Sequence, residues 1–95
     1  MRMLLKMNIP TEAGNAAIKN GTLGSTLEAL MASLKPEAAY FGPENGMRTA
    51  YMVFEMKDEA SMPPSLEPAF MLGSNVSLTP VMNADELRKG LSSLG

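Results

Sequence analysis

Lys6, Tyr51 and Glu55 are the three side chains in this sequence best suited to moving a proton, and their candidacy begins with what is missing. The 95 residues contain no histidine and no cysteine. The commonest general base, the commonest metal ligand and the thiolate nucleophile are therefore absent. With them go a conventional nucleophilic triad, a thiolate metal site and a histidine-ligated zinc or haem, so no metal and no cofactor is expected. Lys6 can orient a carboxylate, or act as acid or base if burial lowers its pKa. Tyr51 can bind a substrate oxygen, and Glu55 can abstract a proton next to a carbonyl. Asn8, Tyr40, Val53, Ser77 and Thr79 are the candidates for binding a ligand beside them. Each also has an ordinary structural role. Lys6 can snorkel to the rim of a sheet, Glu55 can pair across strands with Arg2, the tyrosines can pack at an interface, and Ser77 and Thr79 can simply fill a strand.

These residues are brought together only if particular strands form. From Arg2 to Asn8 the side chains alternate, with Met3, Leu5 and Met7 on one face and Arg2, Leu4, Lys6 and Asn8 on the other, the period of a half-buried strand. Ile9-Pro10 ends it. With Thr11 as N-cap, Ala13, Ala16, Ala17, Leu23, Leu27, Leu30, Met31 and Leu34 recur at helical spacing until Pro36. Gly21 and Gly24 in "NGTLGS" predict a kink or break near Gly21.

The stretch "EAAYFGPENGMRTAYMVFEM", Glu37 to Met56, reads as a hairpin turning at Asn45-Gly46, since both residues tolerate positive φ. That turn sets Tyr40 opposite Tyr51, Phe41 opposite Ala50, Ala39 opposite Met52 and Ala38 opposite Val53. Pro43 makes the first strand of the hairpin an edge. Met62-Pro63-Pro64 fits the first turn of a helix carrying Leu66, Ala69 and Phe70, short or irregular because of Pro68. Alternation returns from Val76 to Met82, with Pro80 marking an edge. Asn83 caps a last helix bearing Ala84, Leu87, Leu91 and Leu94, with Asp85 and Glu86 at its positive end.

Composition bounds the rest. A hydrophobic content of 45% in 95 residues makes one domain, residues 1–95, with one core. Eight basic against ten acidic side chains, with no basic run, argue against nucleic acid and anionic membranes as partners. The opening "MRMLLKMNIP" is interrupted by Lys6 and reads as a strand rather than a secretion signal, and a chain free of cysteine fits a cytoplasmic setting. The ten methionines alternate into the apolar faces, so they read as packing rather than a copper site. "GTLGS" lacks the lysine and spacing of a phosphate loop, and "RTAYMVF" has the wrong parity for an RNA-stacking strand.

The order strand, helix, strand, strand, helix, strand, helix fits an α+β fold. It gives a ferredoxin-like, four-stranded antiparallel sheet with two helices on one face, plus a C-terminal helix. The helices must cover the more apolar face, carrying Met3, Leu5, Met7, Ala39, Phe41, Met52, Phe54, Val76 and Leu78. The other face carries Leu4, Lys6, Asn8, Ala38, Tyr40, Tyr51, Val53, Glu55, Ser77, Thr79 and Val81. Left bare, its apolar members would form a patch that monomers usually avoid, so a second copy is its natural cover. Two such faces would enclose a cleft suited to a small organic ligand. An assembly module with no catalytic role, its second face only a subunit interface, is the alternative.

"LLKM", Leu4 to Met7, and "YMVFEM", Tyr51 to Met56, resemble the first and third strands of the muconolactone isomerase family. The whole chain is similar to a group of small uncharacterised proteins of the same dimeric α/β-barrel superfamily. The resemblance implies a homodimeric barrel with a cleft. It places Lys6 and Tyr51 at matching motif positions, without carrying over the isomerase reaction.

Overall fold

The computed structural model describes residues Met1–Gly95. In chain order the elements are β1 (Arg2–Ile9), α1 (Thr11–Lys19), α2 (Thr22–Leu34), β2 (Ala38–Glu44), β3 (Met47–Glu55), a 3-10 turn (Glu59–Ser61), α3 (Met62–Met71), β4 (Asn75–Pro80) and α4 (Ala84–Ser92). The four strands form one antiparallel sheet in the order β2-β3-β1-β4. This is the ferredoxin-like arrangement, and both proline-bearing strands lie at its edges.

The alternation in β1 decides which face is core. Met3, Leu5, Met7 and Ile9 are buried while the residues between them are half-buried. They join Ala50, Met52, Phe54 and Met56 from the third strand and its exit, Leu30 and Leu34 of α2, and Ala69 of α3. Ala39, Val76 and Leu78 pack on this cluster from the two edge strands. Phe41 departs from expectation, being 52% exposed. Its strand is an edge, and an open groove lies between it and Leu23 and Leu27 of α2, so the ring borders the core rather than entering it.

The break expected near Gly21 is present and divides the helical stretch into α1 and α2. Gly21 takes φ 77°, left-handed backbone that most side chains resist, and α2 starts immediately after it. Thr11 is the first residue of α1 and not its cap; the cap position falls on Pro10, whose carbonyl accepts from Gly14 N–H at 2.8 Å. Pro68 does not cut α3 short, for the helix runs ten residues, with Pro63 and Pro64 in the first turn where no donor is needed. β4 stops at Pro80 rather than Met82, although Val81 N–H still donates to the Arg2 carbonyl at 3.1 Å.

The hairpin has the expected register, with Tyr40 opposite Tyr51 and Ala38 opposite Val53. Asn45 and Gly46, at φ 53° and 75°, form its two-residue turn, so β2 continues to Glu44 and pairs it with Met47. At the other end of the chain Asn83 and Glu86 make a reciprocal capping box at the start of α4. No helix is long and apolar enough to cross a membrane.

Candidate functional site

The sheet face turned away from α1, α2 and α3 is arranged in cross-strand rows. Thr79, Leu4, Val53 and Ala38 form one row, Ser77, Lys6, Tyr51 and Tyr40 the next, and Asn75, Asn8, Thr49 and Gly42 a third. Glu44 stands at the end beyond Gly42, which contributes no side chain to the row between them. Its carboxylate gathers the polar groups of this face. Lys6 Nζ lies 3.3 Å from Oε1, while Asn8 Nδ2 and the Tyr51 hydroxyl donate to Oε2 at 3.2 and 3.3 Å. Asn8 Nδ2 also donates to Thr49 Oγ1 at 2.8 Å, which fixes the amide's orientation. Lys6, Asn8, Glu44 and Tyr51 are all half-buried.

This arrangement polarises its members. The Asn8 hydrogen bond, followed by that of Lys6, holds the Glu44 carboxyl below the usual carboxylate range. Burial raises the Tyr51 phenol, and the neighbouring Glu44 charge raises it further. Near neutral pH the site is therefore a carboxylate and an intact phenol, with Lys6 and the Asn8 amide beside them.

Of the residues singled out from sequence, Lys6, Asn8 and Tyr51 come together. Tyr40 lies directly across from Tyr51 but is 72% exposed. Val53 sits in the apolar row between Leu4 and Ala38, and Ser77 and Thr79 face Lys6 and Leu4 from the opposite edge strand, both exposed. Glu55 does not join them. It lies four residues along β3 from Tyr51, roughly 13 Å away at the rise of a strand, and its carboxylate pairs with the Met1 amino group. The ion pair expected between Glu55 and Arg2 is likewise not made, although the two are cross-strand partners. Arg2 turns instead to Glu37, at 2.9 Å, and to Glu86 of α4. Two carboxylates on one guanidinium outcompete the third.

Glu44 is the functional candidate that sequence reasoning missed. The available signal was the hairpin register continued to the Asn45-Gly46 turn, which pairs Glu44 with Met47 and puts it on the same face as Tyr40 and Tyr51.

The largest concavity of the single chain is on the opposite, helix side. A groove of about 620 Å³ opens between Leu23 and Leu27 of α2 and the hairpin end of the sheet, floored by Ile9, Phe41 and Ala50 and flanked by Arg48. Arg48 Nη2 donates to Asn15 Oδ1 at 3.1 Å. No group of three or more acidic side chains comes together that could hold a metal ion.

The chain has the fold of a solved dehydrochlorinase. Superposition on 5-chloro-2-hydroxyhydroquinone dehydrochlorinase (TftG) from Burkholderia phenoliruptrix, solved in complex with 2,5-dihydroxybenzoquinone, gives a TM-score of 0.66 over 90% of this chain and 98% of that one, at 15% sequence identity. No protein-family model matches the chain, and no curated protein matches it in sequence. The likeness is therefore one of backbone architecture.

Proposed function

We propose that the chain works as a homodimer whose open sheet faces meet, and that the cleft between them takes a small carbonyl-bearing organic molecule and moves a proton on it. The observation that carries this reading is the convergence of Lys6, Asn8 and Tyr51 on the Glu44 carboxylate, beside an apolar row that water would otherwise cover. Glu44 removes a proton from the carbon next to the carbonyl, the electron pair moves onto the carbonyl oxygen, and Lys6 and Tyr51 donate hydrogen bonds to the resulting enolate. In the free chain those donors weaken Glu44 as a base; once they turn to the substrate oxygen, the carboxylate regains basicity at the moment it is needed. Return of the proton to a different carbon is isomerisation. A neighbour of the same fold that carries a dihydroxybenzoquinone supports a cyclic, oxygen-rich substrate.

The test is deuterium incorporation. A panel of cyclic enones, lactones and hydroxyquinones is incubated with the protein in deuterated water and followed by proton NMR. At least one compound exchanges at the carbon beside its carbonyl, Glu44→Gln slows that exchange by about 100-fold or more, and Glu55→Gln leaves it unchanged. No exchange across the panel, or equal exchange by Glu44→Gln, refutes the reading. One observation favours a second reading, an assembly module without catalysis: Lys6, Asn8 and Tyr51 already satisfy one another through Glu44. A dimer interior packed solid by Leu4, Tyr40 and Tyr51 would establish it.

A further inference from the structure

We infer that α4 is a docking arm for a second copy of this chain, its leucine stripe packing on the neighbouring protomer rather than on its own sheet. Leu87 and Leu91 lie one turn apart on α4 and Leu94 follows in the turn just past its end, at the i, i+4, i+7 spacing, with Asp85, Glu86, Arg88 and Lys89 around the other sides of the helix. Every residue from Met82 to Gly95 is exposed, the three leucines by 45, 55 and 83%. Yet α4 is a regular helix of nine residues. A helix that short is marginal in water on propensity alone and takes its stability from packing an apolar face. The capping box and the Arg2–Glu86 ion pair fix where it starts, but neither touches the leucines.

Surface area gives the size of the missing cover. A folded monomer of 10.2 kDa exposes about 5,300 Å², whereas this chain exposes 6,153 Å². The excess, roughly 800 Å², is what one partner contributes to a standard protein interface. The shape agrees, for the radius of gyration is 15.1 Å against about 12.4 Å for a compact chain of this length. Position then selects a second copy. Arg2 lies on the open face of the sheet, and by holding Glu37 at the start of β2 and Glu86 in α4 it sets the first turn of α4 beside that face. A protomer seated on the open face therefore meets the leucine stripe as well, and two-fold symmetry returns the contact from the partner's own arm. A lipid surface fits less well, because the polar sides of α4 carry two acids and two bases, with no excess of cations.

This inference rests on the self-association proposed above, and its test separates the two. Sedimentation velocity over a concentration series is run on the full chain, on the double variant Leu87→Glu/Leu91→Glu, and on Lys89→Glu as a charge control on the polar side. Far-UV circular dichroism and thermal melting report folding of each. The double variant keeps a folded sheet domain and raises the dimer dissociation constant by at least about 100-fold, while Lys89→Glu self-associates nearly as the parent does. A parent dimer that the double variant forms equally tightly overturns the arm and leaves the sheet-face dimer standing. A parent chain that is monomeric throughout overturns both, and co-sedimentation of the parent but not the double variant with anionic vesicles of phosphatidylserine and phosphatidylcholine, with self-association equal in the two, overturns the arm alone.

Discussion

Leu4 and Leu5 are neighbours in sequence and opposites in structure, so shortening each to alanine tests the parity on which the site depends. Leu5 is wholly buried, between Met52 on one side and Leu78 on the other, within the cluster that α2 and α3 cover. Leu5→Ala removes that packing and leaves a cavity, costing about 3–4 kcal/mol, which at about 4–8 °C per kcal/mol for a domain of this size lowers Tm by roughly 12–30 °C. Leu4 is half-buried on the open face, bordered by Val53 and Thr79. In the isolated chain Leu4→Ala forfeits only part of a leucine's transfer energy, about 1 kcal/mol. The assay is thermal melting by circular dichroism, repeated from low micromolar to several hundred micromolar protein. Leu5→Ala shows its full deficit at every concentration. Leu4→Ala shows a small deficit when dilute and a growing one as the parent chain gains stability from self-association. Equal deficits in dilute solution would refute the assignment of the two faces, and a deficit for Leu4→Ala that ignores concentration would refute self-association through the open one.

Three further outcomes follow from the charges and the backbone. The folded-state pKa values of Glu44 and Glu86 lie below the ordinary 4.5, through Asn8 and then Lys6 for the first and the Asn83 amide and then Arg2 for the second. Both carboxylates therefore add stability that is complete above that value and is lost as the pH falls through the folded one, and Glu44→Gln should flatten the acid limb of a Tm–pH curve. The Tyr51 phenol is shifted upward from 10.0, so its contribution is present below that value and is lost at higher pH; Tyr51→Phe should flatten the alkaline limb. Lys35, at φ 48°, closes α2 in the left-handed region that non-glycine residues resist. Lys35→Gly should raise stability by about 1 kcal/mol in denaturant titration, and a loss of stability would show that its side chain supports the helix end.

What could be read in the sequence was what depends on local periodicity. The alternation through Met3, Leu5 and Met7 and the Asn45-Gly46 turn determine strand parity and hairpin register, the order of elements gives the sheet order, and Lys6, Asn8 and Tyr51 fall on one face as a direct consequence. What could not be read depends on where side chains reach. Glu44 belongs to the turn end of its strand and joins the site only by extending past Gly42, a path no periodicity records. Glu55 and Arg2 were aligned correctly, but choice among exposed ion partners is a contest over a few ångströms, and Glu37 and Glu86 come from elements whose approach is tertiary. Alternation puts Phe41 on the core face, but how far α2 extends over that edge is a tertiary feature that no strand period records. The leucine period of α4 was plain, whereas its lack of cover within its own chain is visible only in three dimensions.

In the proposed function the open sheet face is where two copies of the chain meet around a small molecule. Native mass spectrometry of freshly purified protein at micromolar concentration tests it most directly, because it reads copy number and retained ligand together. Ions at twice the 10.2 kDa chain mass are predicted, with added mass when a hydroxyquinone or lactone that exchanges is supplied. Ions at the single-chain mass alone, with or without that compound, would contradict it.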